Sequence, residues 1–248
     1  MPENPLLPHR KLRELRTLML RIRDLERKQA RLQKTTISRE ALLAATSIHL
    51  LPGDLLSARI DDLTAAQLAP SGKLRAGEKK PRTAGTLPPV SAIRTRLALC
   101  AAAARGLQSA GTDGLVLAFT HAGATEPGWL PALEWAQHSQ LPLLLICIDP
   151  TSGRASPSRN KPPEPTLNSA TLRRLSSRTK IPVLTVDGED AVAVYRVMQE
   201  SVIRARMGGG PAVIWAMMSG GSTKLPRSAQ PIARLEQYLT ARNISFTA

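Results

Sequence analysis

The sequence is poor in aromatic residues. Phe, Trp and Tyr make up 3% of the 248 residues, so any core has to be built from Leu, Ala, Val and Ile. The same scarcity argues against single-stranded nucleic acid as a partner, because base stacking needs aromatic faces. Cysteine is nearly missing as well. Cys100 and Cys147 are the only two, and both sit in apolar runs without zinc-ligand spacing or a disulfide framework. A reducing compartment is then the default. No apolar run approaches the roughly 18 residues that span a bilayer. Charges are spread through the N-terminus where a secretory signal needs an apolar core. The expectation is a cytoplasmic chain with no membrane attachment. Acidic residues are also in deficit, 19 against 34 basic, for a net charge of +15. That balance raises nucleic acid or an acidic surface as a partner, and the aromatic deficit weighs against the first.

What is present suffices for one α/β domain with a substantial core, read as a single domain over 1–248. It opens with an N-terminal amphipathic helix within 1–34. In "RKLRELRTLMLRIRDLERKQARLQK" (10–34), Leu12, Leu15, Met19, Ile22, Leu25 and Leu32 form one stripe at steps of three and four. Two readings stand: a basic helix for a membrane or acidic partner, or a helix packed on its own domain or a sister subunit. Ser38 then reads as an N-cap for a helix through Leu50, and "LPGD" (Leu51 to Asp54) as a turn. Residues 70–91 are rich in Pro, Gly, Lys and Ser and read as a mobile loop. An alanine-rich helix follows, Ile93 to Leu107.

Four short apolar runs come next: Gly114–Phe119, Pro142–Ile148, Ile181–Val186 and Pro211–Met218. Helical patterns separate them at Gly128–His138, Leu167–Ser177 and Asp190–Met207. Apolar strands alternating with helices of ten or more residues predict a parallel sheet flanked by helices. The polar stretch Asp149 to Pro165 leaves the carboxyl end of a strand, where ligands gather in such sheets. A closing helix over "AQPIARLEQYLTARNI" places Pro231 in a first turn. The stretch "LVLAFTHAGATEPGW" (Leu115 to Trp129) runs from strand through a glycine turn into a helix, the junction where phosphates and cofactors bind.

These pieces in this order resemble the alpha chain of the thiamine-diphosphate-dependent 2-oxo acid dehydrogenases, the pyruvate and branched-chain type. The resemblance is carried by "LRELRTLMLRIRDLERK", "SREALLAATSIHLLPGD" and "AFTHAGATEPGWLPALEWAQHSQLPLLLICID". It is most specific in "IPVLTVDGEDAVAVYRVMQESVIRARMGGGPAVIWAMM", and "QPIARLEQYLTARNI" matches the family's closing helix. It implies the thiamine-diphosphate-binding fold, with loops shortened. It further implies an alpha-like component that decarboxylates a 2-oxo acid oxidatively and passes the acyl group to a lipoyl carrier. Thiamine diphosphate held through Mg²⁺ is the implied cofactor, and a beta-like subunit or self-association the implied partner.

The implied ligands are altered here. The family holds Mg²⁺ through an Asp in a Gly-Asp-Gly turn and an Asn about 30 residues later; the hard cation requires oxygen donors. Aligned without gaps, that Asp falls on His121; with a one-residue gap it falls on Ala122, and Gly123 and Ala124 keep their places. The Asn position falls on Pro150 or Asp149. Of a Tyr-Arg pair near the diphosphate, at Ala58 and Arg59, only Arg59 survives. The resemblance thus assigns Arg59, Gly123 and Ala124 to cofactor binding and Asp149 to the metal. No catalytic residue is assigned, since "SGGSTKLPRS" (Ser219 to Ser228) stands where the family's histidine-bearing loop would be.

Bland readings stand beside these. His9, His49, His121 and His138 show no ligand spacing, and His121 alone is at a ligand-prone junction, as a loop residue or an acid–base. "GATEPG" is a phosphate cradle or a turn with Thr125 as helix cap. Asp149 is a metal ligand or a strand-end turn residue. "DGED" at Asp187 to Asp190 reads as turn and helix cap, Gly208–Gly210 as a helix stop. The missing carboxylate predicts a catalytically impaired chain. The alternatives are a non-catalytic homologue acting as a binding or regulatory subunit, and a basic nucleic-acid-associated protein.

Overall fold

The computed structural model describes residues 6–33, 39–58, 85–121, 129–150, 176–218 and 230–246. Helix α1, His9–Gln33, and the short α2, Glu40–Ser47, open the chain. Strands β1, Leu55–Ser57, and β2, Gly85–Thr86, follow. Then come α3, Ile93–Ser109, β3, Val116–His121, α4, Leu130–His138, and β4, Leu143–Asp149. The described chain ends with β5, Val183–Asp187, α5, Ala191–Arg206, β6, Ala212–Met217, and α6, Pro231–Ala241.

All pairings are parallel, and the six strands lie in the order β2-β1-β3-β4-β6-β5. The expected parallel sheet flanked by helices is therefore present. β4 is buried along its whole length, and β3 and β6 are buried at all but their final residues. That is why they read as continuous apolar runs rather than alternating ones. Side chains still alternate between the faces. On one face Leu117, Phe119, Leu144, Ile146, Ile148 and Ile214 pack under α1, α2, α5 and α6. On the other, Val116, Ala118, Leu145, Cys147, Val213 and Trp215 pack under α3 and α4. The step from β3 to β4 and the step from β5 to β6 run in opposite directions. With one crossover hand, their helices must lie on opposite faces, as α4 and α5 do.

The amphipathic helix packs on its own domain. Leu12, Leu15, Met19 and Ile22 are buried, and two ion pairs, Arg23–Glu40 and Arg39–Glu26, tie α1 to the start of α2. Arg16 pairs with Glu236 of α6 and lies over the Phe246 ring. Among the described residues no helix is long and apolar enough to cross a membrane.

Several local expectations change. The N-cap of α2 is Arg39, not Ser38, and its side chain makes no cap bond; α2 stops at Ser47. The sequence reading contains neither β1 nor β2. Three- and two-residue strands are too short for any period, and pairing with neighbours defines them. Gly85 and Thr86 belong to the 70–91 segment, so the end of that segment is part of the sheet; residues 70–84 lie outside the described ones. The N-cap position of α4 is Trp129, and Thr125 lies outside the described residues. The "LPGD" turn is present. Its Asp54 is fully buried and accepts from the Leu51 and Leu115 amides, at 2.6 and 2.9 Å, and from Arg206 at 2.7 Å. Asp190 caps α5 by accepting from the Val192 and Ala193 amides. Gly208 and Gly210 end α5 with φ of +78°, a left-handed conformation that costs glycine little.

Candidate functional site at the carboxyl edge of the sheet

The chain leaves β1 toward β2 on one side and leaves β3 toward β4 on the other. Adjacent strands whose continuations part in this way leave a crevice at their carboxyl ends, where open α/β sheets bind ligands. The edge of that crevice is formed by Ser57 of β1 and by Thr120 and His121 of β3, with Asp149 one strand further on.

Register separates the two residues that sequence comparison pairs. His121 lies opposite Ile148, so its side chain shares the face of Phe119 and Ile148, under α1, α2, α5 and α6. Asp149 follows Ile148 and faces the other way, toward α3 and α4. It is 1% exposed, and its Oδ2 accepts the Trp215 indole N–H at 2.8 Å. Trp215 in turn sits against Trp129, ring centroids 6.4 Å apart. The structure thus brings Asp149 to Trp215 and puts the sheet between Asp149 and His121. Among the described residues no three His, Cys, Asp or Glu side chains form a group able to hold a metal ion. Arg59, Ala122, Gly123 and Ala124 lie outside the described residues.

The α3 face of the crevice holds groups that the sequence reading passed over. Arg96 is 2% exposed, and its Nη1 donates to the Phe119 carbonyl at 2.6 Å. Its position was open to the spacing argument. Residues 96, 97, 100, 101 and 104 recur at helical steps and all are buried, which puts Arg96 on the apolar stripe of an alanine-rich helix. Burial pushes the Cys100 thiol up, against the lowering effects of the Ser57 hydroxyl and the Arg96 charge. Burial also pushes Cys147 well up, and the Asp149 charge adds to it. Both thiols are therefore held protonated and unreactive.

A second concavity, of about 530 Å³, lies between the start of α5 and α6. Arg234 enters it already paired with Asp187 and Asp190, so its charge is compensated within the protein.

Comparison with known proteins places these features in context. The family model described as "Dehydrogenase E1 component" matches residues 45–219. The pyruvate dehydrogenase E1 component subunit alpha of Staphylococcus epidermidis is 26% identical over 200 residues, covering 73% of this chain and 52% of that protein. The chain thus spans about half the length of that relative. The alpha subunit of the acetoin:2,6-dichlorophenolindophenol oxidoreductase of Bacillus subtilis is 51% identical over 37 residues, 15% of this chain and 11% of that one. The solved benzoylformate decarboxylase of Polynucleobacter necessarius superposes with a TM-score of 0.48 at 12% identity, over 72% of this chain and 32% of that one. A likeness that slight says nothing of chemistry.

Proposed function

Since this chain belongs to the dehydrogenase E1 component family, we propose that it is an alpha-type component of a thiamine-diphosphate-dependent 2-oxo acid dehydrogenase. We propose further that it keeps the scaffold and the partner-binding role without performing magnesium-dependent chemistry itself. In such enzymes the cofactor is the electron sink, and the protein binds and orients it. Its diphosphate is held through Mg²⁺, which demands oxygen donors in near-octahedral array.

One observation carries the second half of this reading. At the carboxyl edge the His121 imidazole is on one face of the sheet, and the Asp149 carboxylate is on the other, bonded to Trp215. Imidazole suits zinc or copper better than magnesium. A carboxylate bonded to a buried indole would have to exchange that bond for a metal. The described donors do not fit Mg²⁺, and no step is derived through it.

The proposed setting is the cytoplasm, which suits two buried free thiols, and the proposed partner is a beta-type subunit or a second copy of the chain. Calorimetric titration of thiamine diphosphate with Mg²⁺, into the chain alone and with a co-purified beta-type subunit, tests the reading. The expected result is no magnesium-dependent heat in either case, together with a stable complex. Micromolar, magnesium-dependent binding would establish the catalytic alternative, a complete alpha component of the dehydrogenase.

A further inference from the structure

Three observations converge between β1 and β3, on the face covered by α3. The first is the amino end of α3. The helix begins after Ala92, whose side chain caps nothing, and its first turn carries no acidic residue. First-turn N–H groups point out of a helix with the positive end of its dipole behind them, and they favour an anion.

The second is Arg96. A cation near a helix amino end opposes the dipole, and burying a guanidinium is costly unless oxygen atoms gather around it. Arg96 is buried there all the same, against the Phe119 carbonyl.

The third is a pair of hydroxyls. Ser57 ends β1, Thr120 is next to last in β3, and each is 1% exposed. Among the described residues neither hydroxyl oxygen has a hydrogen-bond partner. Ser57 lies opposite Ala118, so it shares a face with Thr120, two residues further along β3. That is the face of Cys100 and Leu97 of α3. Buried hydroxyls are almost always bonded, and exceptions call for a missing partner.

A guanidinium, uncapped helix amides and two unsatisfied hydroxyls share one property: each can donate. What they lack in common is an acceptor. We infer that this layer is an oxyanion site that takes a phosphate group, free or as the end of a diphosphate ester, without a divalent cation. Arg96 supplies fixed charge, since a guanidinium does not deprotonate in proteins. The hydroxyls of Ser57 and Thr120 and the first-turn amides of α3 supply direction. The inference goes beyond the proposed function and is independent of it: a chain that binds no magnesium can hold phosphate here.

The test titrates the full-length chain with inorganic phosphate, pyrophosphate and thiamine diphosphate in separate arms. Each arm is run in EDTA and in Mg²⁺, and is followed by calorimetry and ³¹P line broadening. Saturable binding in EDTA that Mg²⁺ does not strengthen is expected in at least one arm. The arm that saturates identifies the source: free phosphate, or a diphosphate that brings its ester with it. R96M should weaken that binding by about tenfold or more, the usual scale for a lost charge-assisted bond. Because R96M alters a buried position and can fail to fold, S57A/T120V is the companion variant. It breaks no hydrogen bond between described residues, should unfold like the wild type, and should weaken binding severalfold. No saturable binding in EDTA in any arm overturns the inference. So does binding that requires Mg²⁺, or binding that S57A/T120V leaves unchanged.

Discussion

Trp215 of β6 donates its indole N–H to the Asp149 carboxylate at the end of β4, 2.8 Å away, and both residues are buried. The bond crosses between neighbouring strands and satisfies a carboxylate oxygen that water does not reach. W215F keeps most of the ring packing against Trp129 and removes the donor. The expected loss is about 1–3 kcal/mol, the cost of leaving a buried polar group one bond short. Urea unfolding measures it, and an unchanged midpoint would mean that Asp149 does not depend on the indole.

The Asp54–Arg206 pair holds the amino edge of the sheet as Trp215 holds the other. Asp54 is fully buried and also bonds the Leu51 and Leu115 amides. D54A removes the acceptor of all three partners and leaves Arg206 half-buried without its carboxylate. A cost of about 3–5 kcal/mol follows, as for other broken buried pairs. A large drop in thermal midpoint is the readout.

His49 predicts a pH dependence. Its ring stacks on Tyr195 at 4.5 Å, and its Nε2–H donates to the Tyr195 carbonyl at 3.2 Å. Burial is the main force lowering its pKa from 6.5 to about 4. Lys11 and Arg206 contribute in the same direction, and the Tyr195 carbonyl opposes them. The unfolded chain therefore binds this proton more readily than the folded one does. The stabilising contribution is complete above pH 6.5 and falls away as the pH drops toward 4. H49F should flatten the stability profile in that window. Urea midpoints at closely spaced pH values decide it, and an equally steep profile in the variant would assign the slope to other groups.

Restoring the family's carboxylate should not restore the metal. H121D puts an acid beside Ile148, on the face away from Asp149 and Trp215. No magnesium-dependent binding of thiamine diphosphate is expected by calorimetry. Recovered binding would show that one carboxylate was the only missing part.

Much of the sheet was legible because its central strands are buried on both sides. "LVLAF", "LLLICI" and "AVIWAM" need no neighbour to identify them. The strands at either rim are another matter. Leu55–Ser57 and Gly85–Thr86 are strands only because β3 lies beside β1, and β1 beside β2. The site divides in the same way. The strand–turn junction at His121 can be read from pattern. The face each residue takes cannot, because it depends on the offset between β3 and β4. A shift of one residue would put His121 and Asp149 on the same side. Arg96 was legible by its helical spacing but was masked by the alanines around it.

The sheet order also sets a timetable. β5 pairs only with β6, and β6 fills the place between β4 and β5. While the chain is being synthesised, β5 emerges about 25 residues before the strand that holds it, an interval set by α5 and its flanking turns. Until Ala212–Met217 arrives, the growing protein has a gap beside β4 and an unpaired β5. A ribosome stalled short of that point would hold a chain with half its sheet closed and an open edge on which other strands can add.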